Sequence, residues 1–570
     1  MRLLSVLSIL SSLSLHAQWG FEGDTTPTWT QVIARYTELD RMHSGARLLE
    51  IGQDDGGQPM HLFVIADGSG FTPDSIRAAG KNILWITNGI HPGEPDGIDA
   101  CLRLSQALLE SDQLMGLTVN TAVCIVPVYN ISGAENRGSY SRVNQNGPKA
   151  YGFRGNARNL DLNRDFMKQD SENARSLVRA LAEWDPDLYF ETHVSDGADH
   201  RYIMALMTSQ KDKLDAALRT YLTGTLVPGM YAWMDRKGHA MCPYFETYGA
   251  SPEDGLTGFY DSPRYSSGHS ALFGRIGIIS ESHVLKPYAE RVNATLQLLF
   301  GTLAVMNEHP TALREARAEA KRSIRSADTF GLNWAVDTSV VEQLPWKGYA
   351  ARRRTSAVTG LSRLHYDHQQ PLDTLVPWRD TYRPKVMERK PKGYVIPRQW
   401  DQVRQCLLRN GVEVEPITQA REVWVEQDSI AGFTTVNLPY EGHYLHREIS
   451  ATRKRLRVML RSGDWYVPMG HSTDRFVMEA LECRAEDGFF AWNFFDAILQ
   501  QKEWFNDYVF EDLAAEMLEK DPALKAAFEA ERKRDPGFAK DAWAQLTWIY
   551  RRSPWMEPTF RKYPVLRVVE

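Results

Sequence analysis

The stretch "WITNGIHPGEPDGIDA", residues 85–100, decides how the first half of this chain folds. Ile83, Leu84, Trp85 and Ile86 form an unbroken apolar run of strand length, the pattern of a strand buried on both faces. Asn88 and Gly89 stop it, and Pro92 and Pro95 keep His91 and Glu94 from joining a helix at once. Ile98, Cys101, Leu102 and Leu109 then recur at helical spacing. A strand, a loop and a helix in that order put His91 and Glu94 past the carboxyl end of the strand. In open α/β sheets that is where ligands bind.

The same alternation extends outward over residues 25–310. Further strand candidates are Ile83–Thr87, Ala122–Val128, Leu188–Glu191 and Ile276–Ser280. Ser171 can cap a helix with Ala174, Leu177, Val178, Leu181 and Trp184 on its apolar face, and Pro186 follows its end. Pro287 opens a second helix containing Val292, Leu296, Leu299, Leu303 and Met306, stopped by Pro310. Together they predict an α/β domain around a mainly parallel or mixed sheet.

Residues 311–328 are charged and alanine-rich and read as a solvated helix. Residues 345–400 are rich in Pro, Arg and Tyr with little period. "REVWVEQDSI" and "TRKRLRVML" alternate as strands do. Asp521-Pro522 and Asp535-Pro536 each resemble an N-cap followed by proline. The expected organisation is a segment 1–17, a domain at 18–310, a helical linker at 311–350, and a separate mixed α+β domain at 351–570.

The 570 residues are 43% hydrophobic and 24% charged, with a net charge of −6, as in ordinary globular proteins. No Lys/Arg block offers the basic footprint of a nucleic-acid binder. "MRLLSVLSILSSLSLHAQ" has one Arg, an apolar serine-rich run and a small residue at Ala17, the layout of a signal peptide. A secreted or periplasmic protein is the expectation. No later run reaches the roughly 18 apolar residues of a membrane span. Five scattered cysteines without a C-x-x-C exclude a disulfide scaffold and argue against a cysteine zinc site.

The polar groups at the strand ends carry the chemistry. A catalytic zinc takes three N/O ligands and keeps one position open. His91 and Glu94 supply two, and His193, in "DLYFETHVSDG" after Leu188–Glu191, supplies a third. In "NARNLDLNRDF", Asp161 can accept the free ring N–H of His91. Asn163 and Arg164 offer a planar set of donors suited to a carboxylate. Taken alone, the segment reads more simply as a capped, salt-bridged turn. Glu281, at the end of the apolar strand in "GRIGIISESHVLKPY", has the setting of a general base.

In order and spacing, His91-x-x-Glu94, Asp161-Leu-Asn163-Arg164, His193 and Glu281 resemble the zinc carboxypeptidase family, peptidase family M14, over about residues 27–310. The resemblance implies an α/β/α sandwich around a mixed eight-stranded sheet, and zinc held by His91, Glu94 and His193. It implies a terminal carboxylate gripped by Asn163 and Arg164, and Glu281 as general base. It also implies an oxyanion arginine, Arg142 in "SYSRVNQNG" or Arg154 in "GFRGN", with context favouring Arg142. A mobile tyrosine would be Tyr260 or Tyr265, with Tyr260 preferred. The expected activity is zinc-dependent hydrolysis of a peptide substrate. Asp165, following Asn163-Arg164, adds an acid that can alter how a free carboxylate is received. It keeps open a zinc amidase or endopeptidase acting on cell-wall peptides. A glycan- or peptide-binding protein with a scaffold first domain is a further alternative, disfavoured by the intact ligand set and Glu281. "HYLHRE" lacks the H-E-x-x-H order of a helical zinc motif, and "HYDH", His365 to His368, sits in a Pro/Arg-rich segment and reads as surface.

Overall fold

The computed structural model describes residues 23–66 and 68–570. The expected signal segment, 1–17, lies outside the described residues. The first half carries β1 (Ala46–Gln53), β2 (Pro59–Ile65), β3 (Asn82–Thr87), β4 (Thr121–Val126) and β5 (Leu188–Ser195). It continues with β6 (Met204–Thr208), β7 (Met241–Pro243), β8 (Phe245–Thr247), β9 (Leu256–Gly258) and β10 (Ile276–His283). Eight of these form one sheet in the order β1-β2-β4-β3-β5-β10-β6-β7. Its centre, β4-β3-β5-β10, is parallel, whereas the pairs β1–β2, β2–β4 and β10–β6 are antiparallel and β6–β7 is again parallel. The sheet is therefore mixed, as the alternating pattern implied.

The apolar run of β3 is buried throughout because both faces of the sheet are covered. Leu84 and Ile86 join one core with the helices Asp96–Glu110 and Tyr288–Glu308. Ile83 and Trp85 join another with the helix Glu172–Trp184. Ser171 caps that helix, its Oγ accepting from Ala174 N–H at 3.0 Å. These layers make the α/β/α sandwich.

β5 runs four residues beyond the span read from sequence. His193 therefore lies inside the strand rather than after it. Pairing with β10 continues to Ser195 opposite His283, since Thr192 and His193 both find buried partners. Polar residues can extend a central strand when each is satisfied.

The second half adds β11 (Thr329–Val336), β12 (Glu342–Thr355), β13 (Ser362–Arg379), β14 (Tyr382–Arg389), β15 (Gly393–Ile396) and β16 (Glu415–Pro416). After these come β17 (Arg421–Thr435), β18 (His446–Leu460), β19 (Trp465–Pro468) and β20 (Leu566–Val568). Of the stretch 311–350, only Ala312–Ser326 is helical, and β11 and β12 take up much of the remainder. β12 and β13 form a long ribbon through the segment that shows no period. Much of the ribbon is exposed on both faces, so no alternation was imposed on its sequence. A six-stranded sheet, β16-β19-β15-β20-β17-β18, organises the C-terminal domain. Asp521 caps a helix as expected, but Asp535 ends that helix, and Asp541 caps the next. The Asp535 carboxylate instead binds Gly537 and Phe538 N–H across a short turn.

The two halves are in extensive contact. β9 pairs with β13, so one small sheet, β12-β13-β9-β8, draws on both. A core in the second half, around Tyr394, Phe476 and Phe490, also takes in Met167 and Leu272 from the first half. All five cysteines are free and buried. Among the described residues, no helix is long and apolar enough to cross a membrane.

Candidate metal centre and substrate cleft

Past β3, a turn in which Glu94 N–H donates to the His91 carbonyl (2.8 Å) holds both side chains before the helix begins at Asp96. β5 lies beside β3 in parallel and carries His193 to the same sheet edge. His91, Glu94 and His193 are all buried, and one ligand atom from each lies within 4.8 Å of the others. Sequence spacing could not show this convergence of three groups from two strand ends.

Each imidazole is oriented from behind by a carboxylate. His91 Nε2 is 2.9 Å from Asp161 Oδ1, and His193 Nε2 is 3.0 Å from Glu191 Oε2. Such bonds place the proton on Nε2 and leave Nδ1 with its lone pair. Both Nδ1 atoms turn toward Glu94, at 3.1 Å for His193 and 3.4 Å for His91. His91 Nδ1 is buried without a hydrogen-bond partner among the described residues. A buried, unpartnered ring nitrogen beside a carboxylate and a second imidazole fits a divalent cation, and N/O donors of this kind suit zinc.

Burial acts to raise the Glu94 carboxyl, but His91 and Arg142 beside it hold it well below the usual carboxylate range. Asp161 behaves alike: burial opposes its charge, and His91, Arg154 and Arg164 outweigh that cost. Burial disfavours a charged His193, yet its bonds to Glu191 and Glu94 lift it to about 10; a cation taking Nδ1 would displace the second proton, since a metal ligand must be neutral imidazole. Glu281 differs from the other carboxylates. Burial pushes it up to about 7, because His193 only partly offsets the loss of water. It sits directly across from His193 in the β5–β10 register.

His91, Glu94, His193 and Glu281 line one cavity of about 450 Å³. His91, Glu94, Arg142, Arg154, Asn163, Arg164, His193 and Glu281 all border it, so polar groups spread over nearly two hundred residues meet there. Tyr244, Phe259, Met207 and Ile279 add apolar wall. Both candidate oxyanion arginines reach Glu94 Oε1, Arg142 Nη1 at 2.9 Å and Arg154 Nη1 at 3.4 Å. Arg142 is further held by Gln145 and the Val194 carbonyl, and Arg154 by Asp161. Asn163 N–H is capped by Asp161, and its side-chain oxygen accepts from Ser266 N–H.

Tyr260 is placed differently from the expectation. Its ring stacks on Tyr382 at 5.6 Å, under Lys213, and does not border the cavity. Tyr265 does border it, with the Arg164 guanidinium 4.4 Å from its ring centre. Asp165 turns inward. It is fully buried and binds Lys168 Nζ at 2.8 Å together with the N–H groups of Asp170 and Ser171. A wholly buried lysine beside it leaves that carboxylate no role in receiving a substrate's charge.

The histidines of "HYLHRE" are structural. His443 binds Asp170, and His446 sits between Thr435 and Asp496. Trp492 is wholly buried, as core tryptophans are, whereas Trp543 and Trp555 are about half exposed. Glu191 escaped the sequence reading, although a charge two residues before His193 in a strand shares its face. Tyr440 and Glu441, which touch Arg164 and Asp161, carried no local signal.

A buried two-histidine, one-carboxylate centre with a buried glutamate across the cleft is the arrangement of a zinc metallopeptidase. The model of the zinc carboxypeptidase family matches residues 33–228, a span that contains His91, Glu94 and His193. No curated protein matches the chain. Solved structures similar to it include a metallo-carboxypeptidase from Burkholderia cenocepacia, at 16% identity over 49% of this chain and 69% of that one, with TM-score 0.37. Carboxypeptidase A from Helicoverpa armigera is also 16% identical, over 55% of this chain and 79% of its own, with TM-score 0.38. A Pseudomonas aeruginosa metallo-carboxypeptidase solved with (2-guanidinoethylmercapto)succinic acid gives 16%, 49%, 68% and 0.37.

Proposed function

We propose that this protein is an exported metallocarboxypeptidase that removes residues from the free C-terminus of peptides. One observation carries the reading: Asn163 and Arg164 border the same cavity as the metal centre and Glu281, while the one nearby acid in doubt, Asp165, is turned away. A cavity with a hydrolytic end and a carboxylate-binding end selects the terminal peptide bond.

His91, Glu94 and His193 would hold the zinc. When bound, it supplies Lewis acidity toward water and toward a carbonyl oxygen. Glu281 takes the proton from the attacking water and then delivers it to the leaving amine. A group with a pKa near neutrality can do both, because neither transfer is strongly uphill. Arg142 and Arg154, drawn together at Glu94, stabilise negative charge developing on the scissile carbonyl. Asn163 and Arg164 bind the terminal carboxylate. Tyr265, at the guanidinium face, stands over the same end of the cleft.

Arg164→Lys is expected to lower kcat/KM for free-carboxylate peptides by roughly 10- to 100-fold, since a point charge cannot reproduce a planar fork. The same peptides capped as amides should be cut poorly by the wild type and no worse by the variant. If the wild type cleaves both forms equally, an amidase or endopeptidase replaces the exopeptidase.

Asp161→Asn keeps the side chain's shape but weakens the carboxylate that orients His91. Zinc affinity, read by competition with a chelator, should fall about 10- to 100-fold. The leader-like stretch at 1–17 supports export, and the mass of the protein recovered from the cell exterior or periplasm would reveal a cut near Ala17.

A further inference from the structure

The tip of the β17–β18 hairpin belongs to the C-terminal half, yet it ends against the substrate cleft. Tyr440 and His443 close it, each N–H donating to the other's carbonyl at 2.7 and 3.0 Å. Glu441 and Gly442 between them both have positive φ, 51° and 80°. That conformation is natural for glycine and unfavourable for glutamate. Here it places the Glu441 carboxylate 2.7 Å from Asp161 N–H, the backbone just before the turn bearing Asn163 and Arg164. Tyr440 Oη accepts from Arg164 Nε at 3.1 Å. The Tyr440 ring stacks on buried Trp492, which is flanked by Arg264 and Lys168. His443 completes the seat by binding Asp170.

A guanidinium has five N–H donors and two edges that can grip a carboxylate: the Nη1/Nη2 end and the Nε/Nη2 side. In Arg164, Nε is committed to Tyr440 and one Nη1 hydrogen to the Asn163 carbonyl at 2.9 Å. The Tyr265 ring covers one face. The side-on edge is closed, and the end-on edge keeps one Nη1 hydrogen and both on Nη2.

We infer that Tyr440, delivered by the C-terminal domain, is a positioning residue that locks the Arg164 guanidinium into end-on presentation toward a substrate carboxylate. This rests on the carboxypeptidase reading for what Arg164 binds, but the Tyr440–Arg164 coupling is separately measurable. The C-terminal domain is on this account a component of the substrate site.

The test is a double-mutant cycle in the full-length, zinc-loaded protein. Tyr440→Phe removes one hydroxyl and keeps the stacked ring. Tyr440→Phe, Arg164→Ala and the double variant are assayed with one peptide, as free acid and as C-terminal amide, using whichever form the wild type cleaves faster. The wild-type preference between forms judges the carboxypeptidase reading alone. For the inference, Tyr440→Phe should raise KM about tenfold with kcat within about twofold, the scale of one hydrogen bond to a charged group. That increase should vanish in the Arg164→Ala background. Zinc content and the thermal midpoint should match the wild type. An unchanged KM, or the same increase with and without Arg164, would overturn the inference. So would a loss of zinc or stability that accounts for the change.

Discussion

Glu281→Gln protein is expected to retain its zinc and to lose hydrolysis by a factor of about 10²–10⁴, the usual contribution of a general base. The amide is nearly isosteric with the carboxyl, and Glu281 is not among the three converging ligand groups. Water activation should therefore fail while metal content stays at one per chain. The pH profile gives a second readout. Only the deprotonated carboxylate can accept a proton, so activity should be present above the pKa of Glu281 and fall as pH drops through it. Burial sets that pKa at about 7 in the metal-free chain, and a divalent cation at His193 would draw it lower. The acid limb of kcat/KM should thus lie below about 7 and be absent from any residual activity of the variant. Near-normal turnover by zinc-loaded Glu281→Gln would remove Glu281 from the mechanism.

His193→Ala should abolish zinc retention through dialysis, and with it activity. Its imidazole supplies one of three protein donors, and the loss also leaves Glu94 Oε2 and Glu191 Oε2 without their ring partners. Two remaining ligands cannot complete the three-donor set of a catalytic zinc site. Elemental analysis is the direct check, because it does not depend on any substrate. Full metal occupancy in His193→Ala would mean that the cation is held elsewhere. The variant should also lose the thermal stabilisation that added zinc gives the wild type, since a ligand stabilises only the state that binds it.

The sandwich was legible in the sequence because central parallel strands are buried on both faces. Such strands show as unbroken apolar runs like Ile83–Ile86, followed by loops that can afford polar residues. His91, Glu94, His193 and Glu281 stood out because each follows or interrupts such a run, and Asp161, Asn163 and Arg164 because their order with those four resembles the zinc carboxypeptidase motifs. The exposed ribbon of β12 and β13 left no pattern, since water on both sides asks for none. Glu191 lay in plain view on the face of His193, but its charge looked like the end of a strand that in fact continues.

What the sequence by itself determined is therefore local: the order of strands and helices in the first half, and the polar residues that its strand ends present. The tertiary structure decided everything that depends on distance across the chain. It turned Asp165 onto Lys168, stacked Tyr260 on Tyr382, set Tyr265 beside Arg164, and brought Tyr440 to Arg164 across 276 positions. The physical reason is range. Burial and backbone periodicity act over a few residues and imprint on composition, whereas a hydrogen bond between distant side chains requires only that two compatible groups meet, and leaves no mark on the sequence around either one.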